Sequence, residues 1–184
     1  MKSVLSRLVA PVAMSAAMSA AHAISAGAAL AETVNITCLL TNDVYKMSGG
    51  KDRGGFARLA AIVKAERAKG GNLIYAHAGD AISPSLLSGF DQGEHIIALL
   101  NMAPPDIFTP GNHEFDFGPE VFAKRMAEAK FPVLAANLRD ASGNKLAGIE
   151  DTKMVEFDGV KVGIVGLAAD DSPVKSSPGD LKYS

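Results

Sequence analysis

Gly111-Asn112-His113-Glu114-Phe115-Asp116 is the stretch around which the rest of this chain is interpreted, and only Pro110 separates it from the short apolar run 106–109. A turn after a strand is where α/β proteins hold functional side chains, because strand ends direct them into one crevice. Asn112 offers a neutral oxygen ligand, His113 can donate a proton, and Asp116 can hold that imidazole in one tautomer. The plainer interpretation is a polar turn that caps the next helix.

Two other apolar runs are also followed by side chains with oxygen ligands. Asp43 comes after the run 34–41, and Asp80, preceded by Gly79, comes after the run 73–76. Hard oxygen ligands from neighbouring strand ends suit a pair of divalent cations, with one carboxylate bridging both. With Asn112, three strand-like runs lead into such a residue, and this coincidence favours a metal site over a capping turn.

The order of four motifs resembles the secreted 5'-nucleotidase branch of the calcineurin-like metallophosphoesterases. The likeness extends from about residue 34 to residue 167, and its motifs are Thr41-Asn42-Asp43, Gly54-Gly55-Phe56-Ala57-Arg58, Ala78-Gly79-Asp80 and the stretch 111–116. The resemblance implies an α/β (α+β) fold, the α-β-β-α sandwich of two sheets that metallophosphoesterases form, truncated here.

The resemblance also implies a role for each matching residue. Asp43 would bind one of two divalent metal ions, Zn, Mn or similar, Asp80 would bridge both, and Asn112 would bind the second. His113, paired with Asp116, would act catalytically at the phosphoryl group of a small-molecule phosphoester, by family analogy a nucleotide. Glu114 is expected to support the loop by hydrogen bonding and not to contact metal.

The sequence departs from the family pattern in two places. The family motif Asp-x-His reads Asp43-Val44-Tyr45 here. Tyr45 is either a phenolate ligand to a ferric ion or, as we favour, a supporting residue beside a weaker first metal site. The downstream Gly-His-x-His motif and the C-terminal nucleoside-binding domain of the family do not occur before Ser184. We therefore expect a fragment, a truncated reading frame or a separately encoded half, with the two metals incompletely bound.

The first 31 residues have the features of a signal peptide. A basic start is followed by residues 8–31 without Asp, Glu, Lys or Arg, and Ala29-Leu30-Ala31 has the small-x-small form of a cleavage site, with 21–23 as a second candidate. A retained membrane anchor is the alternative, disfavoured by the polar residues in the segment. We expect periplasmic or secreted protein without stable membrane insertion after cleavage, and 32–184 as the N-terminal part of a metallophosphoesterase domain.

Composition bears on nucleic-acid binding, on disulfide bonds and on the remaining histidines. The net charge of −2 over 184 residues gives no electrostatic reason for nucleic acid to be a partner. Cys38 is the only cysteine, so no internal disulfide forms, and its apolar neighbours predict a small buried residue. Of the histidines outside the main stretch, His22 lies in the signal segment, His95 is expected to be a surface or core residue, and His77 is expected to point away from the Asp80 turn.

Apolar periodicity predicts alternating strands and helices. We expect a buried first strand over 34–41, further strands over 73–76, 107–108 and 133–136, and helices over 56–69, 91–102 and 119–130. Asp158-Gly159 between two apolar runs predicts a hairpin of 154–157 with 160–167. Residues 168–184 are predicted to form a loop. The alternation indicates a largely parallel sheet with helices on both faces.

The leading functional hypothesis is an exported metal-dependent phosphoesterase of 5'-nucleotidase type with a role in nucleotide catabolism, present here as its N-terminal fragment. A related hydrolase of other phosphoesters or of sulfur esters is one alternative. A non-catalytic remnant or metal-binding module is another.

Overall fold

The computed structural model describes residues 33–51 and 53–184, so the predicted signal peptide 1–31 lies outside the described residues. The helices are α1 Phe56–Ala68, α2 Ser88–Asp91, α3 Glu94–Met102, α4 Pro119–Glu128 and α5 Ser172–Lys175, with a 3₁₀ turn at His113–Phe115. The strands are β1 Ile36–Thr41, β2 Asn72–His77, β3 Ile107–Phe108, β4 Val133–Leu134, β5 Leu138–Arg139, β6 Ile149–Glu150, β7 Thr152–Phe157, β8 Val160–Val165 and β9 Lys182–Tyr183.

A five-stranded parallel sheet in the order β1-β2-β3-β4-β6 forms the centre of the fold. The helices α1, α3 and α4 place Phe56, Ile96 and Phe122 in one core cluster, together with Phe108 and Val133 of the sheet. The strands β1 to β4 lie side by side in chain order, so each connection advances in the same direction across the sheet. Because such connections are right-handed, their helices all lie on the same face. The prediction of helices on both faces is therefore wrong for the described residues.

The opposite face is covered by the β7–β8 hairpin, whose formation, though not its place on this face, the sequence predicts. Its two-residue turn, Asp158-Gly159, has positive φ at both positions, the geometry that matches the twist of the flanking strands. The hairpin packs Val155, Phe157, Val162 and Ile164 against Ile74, Ile107 and Leu134 of the sheet. The described part of the chain is thus an α/β fold with a helical layer, a parallel sheet and an antiparallel hairpin.

The first strand is not buried, contrary to the sequence prediction. β1 is an edge strand, Leu40 is 66% exposed, and Cys38 is exposed as well. An apolar groove of about 480 Å³ runs between β1 and β8 and is lined by Cys38, Leu40, Ala76 and Val165 among others. Apolar sequence alone predicted burial, but an edge strand is buried only where another element covers it.

Two further predictions are corrected. The helix expected over 91–102 is divided into α2 and α3, because the chain turns through positive φ at Gln92 and Gly93. The segment 168–184 is not only a loop. It contains α5 and also β9, which pairs antiparallel with β5. Among the described residues, no helix combines the length and apolar character that crossing a bilayer requires.

Glu114 joins the loops that follow β2 and β3. Its side chain is fully buried, and its carboxylate accepts backbone hydrogen bonds from Gly111 at 2.6 Å, Ala81 at 2.7 Å, Asp80 at 2.8 Å and Ile82 at 3.2 Å. Burial raises the pKa of the Glu114 carboxyl above its ordinary value, and the four hydrogen bonds offset part of that rise. Because every partner is a donor, the site is built for an ionised carboxylate, as the sequence analysis expected of a loop support.

Two glycines allow the same loops to approach each other. A Cβ on Gly79, whose φ is +77°, would lie 2.1 Å from the nitrogen of Gly111. A Cβ on Gly111 would lie 2.2 Å from Oδ1 of Asp80. Any side chain at either position would therefore push the two loops apart.

We predict that Glu114→Gln lowers the free energy of unfolding by about 3 kcal/mol, because an amide NH₂ would face backbone N–H donors and leave buried groups unpaired. Urea denaturation of residues 33–184 followed by circular dichroism measures this. The matched control is Glu156→Gln on the exposed side of β7, which makes the same charge change and should alter stability little. Equal effects of the two substitutions would contradict the assignment.

Candidate metal centre

The three residues predicted as metal ligands lie at one edge of the parallel sheet. Asp43, Asp80 and Asn112 follow β1, β2 and β3, whose carboxyl ends point the same way. The backbone N–H of Asp43 donates to the carbonyl of Gly79 at 3.1 Å. The backbone N–H of His113 donates to Oδ1 of Asp80 at 3.0 Å. The structure therefore brings the three loops into direct contact.

Two of these residues adopt unusual backbone conformations. Asp43 and Asp80 have φ of +55° and +56°, in the left-handed region that most side chains avoid. Aspartate tolerates this region better than bulkier residues, at a local energetic cost. Such outliers cluster at functional sites, where the surrounding structure holds them in place.

His113 and Asp116 form a pair within and just after the 3₁₀ turn. Nδ1 of His113 lies 2.7 Å from Oδ2 of Asp116, as their spacing of three residues predicts. Burial lowers the pKa of the His113 imidazole, but the hydrogen bond and negative charge of Asp116, with smaller contributions from Asp80 and Glu114, raise it above 6.5 overall. The pair therefore favours an imidazolium whose Nε2 is not engaged by Asp116.

The second oxygen of Asp116 has a partner that the sequence analysis did not identify. Oγ of Ser176 donates to Oδ1 of Asp116 at 2.7 Å, across 60 residues of chain. Burial raises the pKa of the Asp116 carboxyl, but hydrogen bonds from Ser176, His113 and Ser83 outweigh it and lower the pKa below 3.8. No local sequence signal marks Ser176, which lies in a Ser/Pro-rich segment.

Of the histidines that the structure describes, His77 and His95 are not positioned as ligands. His77 is buried, stacks on Phe108 with ring centroids 5.2 Å apart, and accepts a hydrogen bond at Nδ1 from the N–H of Gly79. Burial lowers the pKa of His77 to about 4. His95 is hydrogen-bonded to Asp91 at the start of α3. Both rings therefore make structural contacts.

The donor set fits part of a divalent-cation site. Asp43, Asp80 and Asn112 offer two carboxylates and one amide, the hard oxygen ligands that such ions prefer. Within 33–51 and 53–184, however, no three His, Cys, Asp or Glu side chains are grouped closely enough to hold an ion. The chemistry of these three donors therefore suits a divalent cation, which would need further ligands.

Tyr45 lies beside this edge of the sheet. It is partly buried and lines a cleft of about 350 Å³ together with Asp43, Lys46 and Arg53. The position suits both interpretations of Tyr45, as a ligand or as a supporting residue, and both stay predictions.

Comparison with known proteins agrees with this geometry. The sequence profile described as calcineurin-like phosphoesterase matches residues 36–162. A probable 5'-nucleotidase of Treponema pallidum is 37% identical over 133 residues, which is 71% of this chain and 22% of the relative. An NAD 5'-nucleotidase of Haemophilus influenzae is 36% identical over 135 residues, covering 72% of this chain and 22% of that protein.

Solved structures show the same likeness. The Haemophilus influenzae NAD nucleotidase superimposes with a TM-score of 0.74 at 32% identity, over 81% of this chain and 29% of its own. A 5'-nucleotidase precursor from Thermus thermophilus superimposes with a TM-score of 0.70 at 27% identity, over 81% and 32%. The chain spans less than a third of the length of these relatives. The matched profile, which covers more than half of the residues, shows that the chain belongs to the calcineurin-like phosphoesterase family.

Proposed function

We propose that this chain forms the N-terminal part of an exported, metal-dependent phosphoesterase of 5'-nucleotidase type, with a role in nucleotide catabolism. The observation that carries the proposal is the convergence of Asp43, Asp80 and Asn112 with the His113–Asp116 pair at one edge of the sheet. Family membership supports hydrolysis of a phosphoric ester. Relatives named as 5'-nucleotidases support a nucleotide as the small-molecule substrate.

Each residue has a proposed part in this function. Asp43, Asp80 and Asn112 would hold divalent metal, which when bound supplies charge neutralisation and an activated water. The His113 imidazolium, oriented by Asp116, would stabilise the charge on the phosphoryl oxygens or protonate the leaving oxygen. Glu114 keeps the Asp80 and Gly111 loops in register and touches neither metal nor substrate.

A non-catalytic metal-binding module is the second candidate. This alternative is favoured because the described residues do not bring three His, Cys, Asp or Glu side chains together in one place that could hold a metal ion. An oxygen-only donor set of three leaves two adjacent cations under-coordinated, and each cation needs further ligands at about 2.0–2.2 Å. Residues 33–184 alone should therefore bind at most one cation weakly and turn over little substrate.

We predict that Asp80→Ala abolishes Mn²⁺ binding to residues 33–184, whereas His113→Ala leaves it intact. Asp80 is the proposed bridging ligand, and His113 is proposed to act on the phosphoryl group alone. Calorimetric titration with Mn²⁺ and metal analysis measure the difference. Retention of wild-type affinity by Asp80→Ala would contradict the proposed ligand set.

Hydrolysis of 4-nitrophenyl phosphate and of a nucleoside 5'-monophosphate by the same three proteins separates the two candidates. Measurable turnover that is lost in both variants supports the phosphoesterase. Metal binding without turnover supports the metal-binding module. Robust turnover that depends on Asp80 and His113 would refute the under-coordination argument.

We predict that Asp116→Asn lowers the pKa of His113, because it removes a carboxylate that favours the imidazolium. A raised histidine pKa contributes stability that is complete below 6.5 and lost as the pH rises through the folded-state value. The lowered pKa of Asp116 contributes stability above 3.8 that is lost as the pH falls through its own folded-state value. The difference in free energy of unfolding between wild type and Asp116→Asn should thus be largest between pH 3.8 and pH 6.5.

Imidazole NMR titration of His113 and denaturation over a pH series provide the two measurements. Asp140→Asn in an exposed loop is the control and should leave the His113 titration unchanged. A His113 pKa that does not respond to Asp116→Asn would exclude the proposed pairing in solution.

We also propose export by cleavage after Ala31, on the basis of Ala29-Leu30-Ala31 before Glu32. Expression of the whole chain in a bacterial host should yield periplasmic or secreted protein that begins at Glu32. N-terminal sequencing of that fraction provides the measurement. Protein that keeps Met1 and sediments with membranes would instead support a retained anchor.

A further inference from the structure

We propose that Ser176 is a positioning residue for His113, acting through the carboxylate of Asp116. The proposal rests on the proposed function for its catalytic meaning, but the hydrogen-bonded chain that it describes is independent of turnover. Oγ of Ser176 and Nδ1 of His113 each lie 2.7 Å from a different oxygen of Asp116. Each oxygen of the Asp116 carboxylate therefore has its own hydrogen-bond partner.

Holding both oxygens matters because the terminal torsion of aspartate is soft. Rotation about the bond to the carboxylate has broad, roughly two-fold minima, so one hydrogen bond to one oxygen leaves the group free to swing. A second donor on the other oxygen fixes the carboxylate plane. The orientation of the imidazole ring then follows, since its Nδ1–H must point at Oδ2.

Ser176 is itself held in place from the same edge of the sheet. Its backbone N–H donates to the carbonyl of Ser172 at 2.9 Å, and Oγ of Ser172 donates to the carbonyl of Ala169 at 2.6 Å. The N–H of Ala169 donates to the carbonyl of Pro110, which immediately precedes the loop of His113. Ser176 is therefore connected, through Ser172 and Ala169, to the loop that carries His113.

A second set of contacts fixes the start of this segment. The amide of Asn137, which follows β4, donates to the carbonyl of Ala168 at 2.9 Å and accepts from its N–H at 2.8 Å. Asn137 and Ala168 are both buried. This two-way pairing gives the segment a defined position, which a hydroxyl needs if it is to orient a distant carboxylate.

The alternative is that the Ser176 hydroxyl only fastens the C-terminal segment to the domain. The two roles differ in what happens to His113. A fastening bond affects stability alone, whereas a positioning bond also affects the tautomer of the imidazole. The neutral ring should be mainly the Nδ1–H form while Asp116 is fixed, and should shift toward the Nε2–H form when it is not.

The experiment is ¹⁵N NMR of the imidazole rings in metal-free residues 33–184 at about pH 9–10, where histidine is neutral. His113→Gln assigns the His113 signals. We expect Ser176→Ala to lower the ratio of Nδ1–H to Nε2–H tautomer at His113 by about three- to tenfold, the factor that one hydrogen bond carries. Ser176→Thr, which keeps the hydroxyl, should restore the wild-type ratio.

Ser177→Ala is the matched control, because it removes an exposed hydroxyl from the residue next to Ser176. It should leave the His113 tautomer ratio near the wild-type value. An unchanged ratio in Ser176→Ala, or an equal change in Ser177→Ala, would overturn the proposal. No metal or substrate is present in this measurement, so failure of the phosphoesterase proposal would appear separately, in the hydrolysis assays.

Discussion

The buried carboxylate of Glu114 is the interaction on which the arrangement of the site depends. A charge with no access to solvent is tolerated only where hydrogen-bond donors replace water, and here four backbone N–H groups do so. Those donors come from the two loops that follow β2 and β3, which the hydrogen bond from the N–H of His113 to Asp80 also joins. The loops must therefore stay together, and with them the side chains of Asp80 and Asn112. Gly79 and Gly111 make the approach sterically possible.

Much of the fold follows from local sequence. Apolar runs, the Pro119 start of α4 and the Asp158-Gly159 turn specify elements through short-range physics, and they appear close to the predicted positions. The contact of His113 with Asp116 is also local, because a spacing of three residues in a tight turn brings the side chains together. Glu114 was also expected to support the loop by hydrogen bonding, although its bonds to Asp80, Ala81 and Ile82 span 32 to 34 residues of chain.

Other features depend on distant parts of the chain. The exposure of β1 and Cys38 depends on what covers an edge strand, which an apolar pattern does not specify. The single helical face follows from the direction in which successive crossovers advance, and not from any one helix. Ser176 meets Asp116 across 60 residues, so no spacing in the sequence predicts it. Local rules therefore predict the elements of the site, while its outer supports need tertiary structure.

The central claim is that Glu114 unites the two loops that position the site, and hydrogen exchange tests it most directly. The amides of Asp80, Ala81, Ile82 and Gly111 lie in loops, outside the helices and strands. If each donates to the buried carboxylate, all four should exchange slowly and with similar opening free energies, close to that of the sheet core. Rapid exchange at these four amides, like that of exposed loops, would contradict the account.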